Sequence, residues 1–218
     1  MHPRTLVKAL MPVLVLCLGT VVLDAQGYNV FLMGGGSSLF NSNSSVISTG
    51  PLSSSYATGG QFTVGGQVPL NGLLSVEGAY GWGQNNLLVT SFGGFKTSYG
   101  IRNQRISGDL VLHPPVSILG LLPYVDAGPE YDRFSPYGSA VISLPGFSAS
   151  GTQVLSTDNK IGFNYGGGVE IKFLPFIGLR LDVRDHVTSS PSFGLPGRYS
   201  STAHDLEYSA GLVFNFGK

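Results

Sequence analysis

Within Gly178–His186, ionisable side chains fall at every second position: Arg180, Asp182, Arg184 and His186, with Leu179, Leu181 and Val183 between them. Successive side chains of a β-strand point to opposite faces, so this segment reads as a strand with one charged side and one apolar side. Charges at that spacing can pair with charges on neighbouring strands. Two further groupings invite chemistry. His186 and Ser189 are close enough in sequence to raise the question of a histidine-activated hydroxyl, and His186, His204 and Asp205 are of types that ligate metals. Four scattered histidines do not make a metal motif, so no metal or other cofactor is expected. Gly34-Gly35-Gly36 and Gly166-Gly167-Gly168 lack the strand-to-helix setting of a phosphate loop, and read as positions that relieve crowding or permit bends.

The N-terminus sets the compartment. Arg4 and Lys8 precede an apolar run from Ala9 to Leu23, broken only by Pro12, Gly19 and Thr20, and small Ala25 precedes Gln26. That is the pattern of a secretory signal peptide, so residues 1–25 are expected to be a leader and 26–218 the mature domain. An anchoring helix would want about 20 apolar residues, and Pro12 and Asp24 interrupt such a run. Cys17 follows Leu16 instead of the small residue a lipoprotein needs, and it leaves with the leader. The mature chain then has no thiol, disulfide or thiolate metal site. Ten basic and eleven acidic residues remain, without the basic patch that nucleic acid requires. No later window approaches 18 consecutive apolar residues, so no transmembrane helix is expected.

Eight segments of alternating pattern follow: about Tyr28–Ser38, Thr58–Val68, Leu73–Gly83, Ser98–Leu112, Leu121–Tyr131, Lys160–Phe173, Gly178–His186 and Asp205–Phe216. They match the roughly 10-residue tilted strand that crosses a bilayer. Their links alternate strictly. Leu39–Ala57, Gln84–Thr97, Asp132–Asn159 and Thr188–His204 are long and polar, whereas the turns at Pro69, at Pro114-Pro115 and at Pro175 are short. A soluble sandwich gives no reason for that alternation; an outer-membrane barrel has short turns at one end and long loops at the other. The expected fold is therefore an all-β, eight-stranded, antiparallel up-and-down transmembrane barrel. Tyr80, Trp82, Tyr131, Phe163, Tyr165, Phe173, Phe214 and Phe216 fall near strand ends on the lipid-facing parity, as interfacial girdles require.

The opposite parity turns Glu77, Arg105, Asp109, Asp126, Glu130, Glu170, Lys172, Arg180, Asp182, Arg184 and Glu207 inward. An eight-stranded barrel is just wide enough for its side chains to fill, and unpaired charge in so narrow a space is costly. A salt-bridged network is expected, with Glu170, Arg180, Asp182, Arg184 and Glu207 on neighbouring strands at its centre. A narrow porin-like ion path is the alternative.

Asn164-Tyr165-Gly166-Gly167-Gly168-Val169-Glu170-Ile171, followed by Gly178-Leu179-Arg180-Leu181-Asp182-Val183-Arg184-Asp185, resembles the small OmpA/OmpX-like outer-membrane β-barrels. In that family a Gly-rich sixth strand precedes a seventh of this type. The resemblance covers the mature chain by strand count, and those segments and the closing strand by motif. It implies a structural or surface-interaction role without catalysis, in outer-membrane lipid and lipopolysaccharide, as a monomer, with no nucleic acid. It also implies an assembly signal for the outer-membrane assembly machinery at Leu212, Phe214 and Phe216, here followed by Gly217 and Lys218. The chain stops at Lys218, so no periplasmic peptidoglycan-binding domain is expected after the barrel. Barrel lipid A deacylases carry His-x-Ser, whereas this chain has His-Val-Thr-Ser at 186–189, with His186 on the inward parity. An omptin-like protease would need ten strands. A lipid-modifying enzyme is thus the weakest alternative.

Overall fold

The computed structural model describes residues 27–41, 53–90, 96–116, 120–144, 147–151, 155–193 and 202–217. The expected leader at 1–25 lies outside them, as do parts of the long links. The strands are β1 (Tyr28–Asn41), β2 (Ser53–Pro69), β3 (Leu74–Thr90), β4 (Lys96–Leu112), β5 (Leu121–Leu144), β6 (Phe147–Gly151), β7 (Asp158–Lys172), β8 (Ile177–Ser189) and β9 (Thr202–Phe216). Each ring strand pairs antiparallel with the next, β4 with β5 and β5 with β7, and β9 closes on β1 from Tyr28↔Phe216 to Asn41↔Ala203. The result is a closed barrel of eight strands, with β6 hairpinned onto the outer part of β5. No helix occurs among the described residues.

The chain achieves closure because each strand alternates. On β8, Arg180, Asp182, Arg184 and His186 are 0–6% exposed, while Leu181 and Val183 are 40% and 53% exposed. The outward face of β9 is apolar from Phe216 to Leu206, a run that at about 3.3 Å per residue and the usual tilt covers about 25 Å, the height of a lipid-facing band. The short turns form where their chemistry allows. Asn71 Oδ1 accepts hydrogen bonds from the amides of Leu73 (2.8 Å) and Leu74 (2.9 Å), fixing the β2–β3 reversal.

The strands outrun the expected segments at the long-link end. β3 continues to Thr90, and the expected Asp132–Asn159 link contains the rest of β5 and all of β6. Sheet pairing satisfies backbone groups in water as well as in lipid, so strand length is not capped by bilayer thickness. A register shift between Ser98 and Gly100, opposite Gly138 at φ 72°, bends this outer part of the β4–β5 pair.

Candidate functional site in the barrel lumen

Three arginines organise the lumen. Arg180 on β8 is fully buried, with Nη1 2.8 Å from Glu77 Oε2 and Nε donating to Tyr124 Oη at 2.7 Å. Tyr124 donates in turn to Asp182 at 2.6 Å. The Arg180 guanidinium also lies 4.4 Å from the Phe31 ring centroid and 4.3 Å from that of Tyr124, within cation–π range of both. Backbone glycines make this clamp possible: a Cβ at Gly65 would overlap the Phe31 ring, and one at Gly168 would overlap the Leu181 carbonyl oxygen and the Tyr124 ring. Four residues further along the same face, Arg184 reaches Asp126 (2.8 Å), Asp109 (3.0 Å), Glu77 (3.2 Å) and Asp182 (3.3 Å). Asn164 Nδ2 holds the other oxygen of Asp109 at 2.8 Å.

A second cluster sits toward the long-link end around Arg105 on β4. It contacts Asp132 (2.7 Å), Asp205 (3.0 Å) and Glu207 (2.5 Å). His186 Nδ1 lies 2.5 Å from Glu130 Oε2, and its Nε2 lies 3.4 Å from Glu207. Between the two clusters is an enclosed gap of about 20 Å³, lined by Arg105, Asp182, Arg184, His186 and Glu207 among others. That is room for about one water.

Apolar side chains also pack against this charged zone. Phe31, Met33 and Val213 cluster toward the short-turn end. There the Gln67 side-chain amide approaches His113 Nε2 at 2.6 Å, and burial, reinforced by the positive charge of Arg180, holds the His113 imidazole below its ordinary value. A neutral ring can accept that amide hydrogen. At the other end, Leu87, Ile101 and Phe134 from the barrel wall meet Phe193 from the segment after β8. Phe193 is 2% exposed and adopts φ 52°, uncommon for a side chain of its size. The segment is held by Ser192, whose amide and hydroxyl donate to Asp158 at 2.7 and 3.0 Å, and by the Ser156 amide donating to Phe193 O at 2.9 Å.

Of the residues that parity turned inward, Glu77, Arg105, Asp109, Asp126, Glu130, Glu170, Asp182, Arg180, Arg184 and Glu207 meet in these two clusters. Lys172 does not: as the last residue of β7 it has the inward parity but is exposed at the short-turn end. Asp132 and Asp205 were not expected there, and both are buried partners of Arg105. His186 and Ser189 do not form a pair, since His186 is buried inside and Ser189 is exposed. His186 and His204 also point apart, His204 meeting Asp185 on the outer face at 2.9 Å. Among the described residues no group of three or more potential metal ligands is found. On the outside, Tyr80, Tyr131, Phe163, Tyr165, Phe173 and Phe216 are exposed, and Trp82 is half-buried with the Arg102 guanidinium 5.7 Å from its ring.

Residues 13–217 match the family model described as the outer membrane protein beta-barrel domain. Among solved structures, the chain is similar to OprG of Pseudomonas aeruginosa, with a TM-score of 0.60 at 11% identity, covering 89% of this chain and 99% of that one. It is also similar to Neisserial surface protein A, with a TM-score of 0.53 at 13% identity over 86% of this chain and 96% of that one. A major outer membrane protein of Thermus thermophilus gives a TM-score of 0.51 at 16% identity, covering 88% and 100% of the respective chains. These likenesses concern the fold. No curated protein matches the chain.

Proposed function

The chain belongs to the outer membrane protein beta-barrel domain family, and on that premise we propose that it is a closed-lumen barrel of the bacterial outer membrane with a structural or surface-interaction role and no catalysis. The observation that carries the reading is the lumen itself. Arg105, Arg180 and Arg184, with side chains 0–6% exposed, each bridge at least three carboxylates across the barrel. A cross-linked set of charges, packed against apolar clusters, leaves no continuous water column of porin size. What such a protein offers to other molecules is its exterior and its long links, at the outer surface, while the short turns face the periplasm. It is exported by the leader at 1–25, assembled through the closing strand with Leu212, Phe214 and Phe216, and works as a monomer among outer-membrane lipid and lipopolysaccharide.

One observation favours a second reading, a narrow cation path. Among the described residues, nine buried or nearly buried carboxylates (Glu77, Asp109, Asp126, Glu130, Asp132, Glu170, Asp182, Asp205 and Glu207) face three buried arginines and His186. Planar-bilayer recording decides between them. The closed-lumen reading expects no stable openings; steady porin-size currents contradict it, and small cation-selective steps lost in Glu170→Gln establish the narrow path instead.

A further inference from the structure

The charges on the outside of the barrel are not spread around it. Among the described strand residues, alternation turns outward three cations, Lys96, Arg102 and Arg133, and one carboxylate, Asp185. The cations share the neighbouring strands β4 and β5, whereas Asp185 lies on β8 and meets Tyr165 and His204 there. The exterior cations therefore have no exterior carboxylate beside them.

Arg102 is fixed in place by rings instead of by an anion. Its guanidinium lies 5.7 Å from the Trp82 ring centroid and 5.4 Å from that of Tyr137, within cation–π range of both. The Tyr137 ring leans across Gly100, where an added Cβ would meet it. Aromatic faces orient a guanidinium but leave its charge uncancelled. Arg102 Nε is enclosed and out of reach of a ligand, while the two Nη nitrogens are neither enclosed nor hydrogen-bonded among the described residues. In the lumen, by contrast, each arginine bridges at least three carboxylates.

The registers bring Arg133 to the same place and set the depth of both. One row runs Tyr80↔Ile106↔Tyr131, the next Trp82↔Gln104↔Arg133, and the next Gln84↔Arg102↔Ser135. Arg102 and Arg133 are thus diagonal neighbours, about 7–8 Å apart at the backbone, and both side chains are long enough to converge on one anion. Tyr80 and Tyr131 are exposed rings of the girdle. Arg133 stands two residues beyond Tyr131 and Arg102 four beyond Ile106, about 5 and 10 Å further along the axis at the usual tilt. That is the headgroup layer. Below it, Ile106 and Leu110 continue the outward face of β4 as exposed apolar side chains.

We propose that Arg102 and Arg133 hold the phosphate of one lipid headgroup, a phosphate monoester, with the acyl chains descending over Ile106 and Leu110. Guanidinium N–H groups match phosphate oxygens in geometry, and two arginines match the charge of about −1.5 to −2 that a monoester carries near neutral pH. A phosphodiester offers less charge, and a choline head brings a cation to a cationic site. The proposal rests on the membrane reading above and is independent of whether the lumen conducts.

The test is native mass spectrometry of the folded, detergent-purified protein titrated with dioleoyl phosphatidic acid, phosphatidylglycerol or phosphatidylcholine, and with water-soluble glycerol phosphate. The expected result is one retained phosphatidic acid, held about tenfold more strongly than phosphatidylglycerol, with no retention of glycerol phosphate. Arg102→Gln and Arg133→Gln should each weaken that retention about tenfold. Lys172→Gln, the same loss of charge at the short-turn end, should leave it unchanged. Heat-modifiable gel migration checks that the variants are folded, and the wild-type comparison of lipids needs no variant. Equal retention of the phosphatidic acid and phosphatidylglycerol, retention unaffected by either arginine change, or an equal loss in Lys172→Gln overturns the proposal. Glycerol phosphate held as strongly as phosphatidic acid also overturns it, in favour of a soluble anion. Porin-size currents from a protein that keeps its phosphatidic acid would contradict the closed lumen alone.

Discussion

The two faces of β8 reverse the arrangement of a water-soluble protein. Its inward face buries Arg180, Asp182, Arg184 and His186 to 6% exposure or less, whereas Leu181 and Val183 on its outward face are 40% and 53% exposed. Each face is stable for a different reason. The inward charges are held by geometry, because each guanidinium finds at least three carboxylates, at least one of them on a strand across the barrel. The outward side chains need no partner within the chain, because lipid is their solvent. Position-specific pairing therefore makes the lumen intolerant of single changes, while the lipid face should tolerate any apolar side chain and reject charge.

Substitutions can break that contrast. Arg184→Ala should have the largest effect, since it leaves Asp109 and Asp126 without an arginine and leaves Glu77 and Asp182 to Arg180 alone; a loss of about 3–5 kcal/mol is expected in urea unfolding from vesicles. Leu181→Arg, on the other face of the same strand, should cost about 2–4 kcal/mol by the same measurement, whereas Leu181→Ile should be nearly silent. If Leu181→Arg is as silent as Leu181→Ile, the outward face does not meet lipid. Gly168→Ala should cost about 1–3 kcal/mol, because the added Cβ would overlap the Leu181 carbonyl oxygen on the neighbouring strand and press on the Tyr124 ring that lies against Arg180. The smallest effect belongs to Phe193→Ala at the outer cap. Global stability should change little, but hydrogen exchange at the Ser156 amide, bonded to Phe193 O, should quicken. Unchanged exchange there would mean that the Phe193 side chain does not hold this segment.

Alternation made the barrel and most of its lumen legible in the sequence. Leu179-Arg180-Leu181-Asp182-Val183-Arg184 assigns both faces of β8 by itself, and the rhythm of long and short links orders the strands. The outer strand extensions were not legible, because Asp-Arg-Phe-Ser-Pro after Tyr131 has the composition of a loop, and a barrel standing clear of the bilayer can pair such residues in water. Asp132 was missed for that reason. Asp205 had the inward parity, but at the edge of a pattern no neighbour confirms it. The Phe31–Arg180–Tyr124 clamp depends on how strands far apart in sequence are staggered around the ring, which periodicity within one strand cannot supply. Its one trace is the pair of glycines, Gly65 and Gly168, that make room for the rings. Phe193 carried no signal beyond being an aromatic in a polar stretch.

The central claim, that the lumen charges are paired and shielded from water, is tested most directly by a double-mutant cycle on Arg180 and Glu77. Both side chains are fully buried and 2.8 Å apart. Arg180→Met, Glu77→Gln and the double variant are unfolded in urea from identical vesicles. Each single variant should lose several kcal/mol and the double variant distinctly less than their sum, a coupling above about 1 kcal/mol. Additivity within about 0.5 kcal/mol would show two independently solvated groups, and the lumen would then be a wet passage.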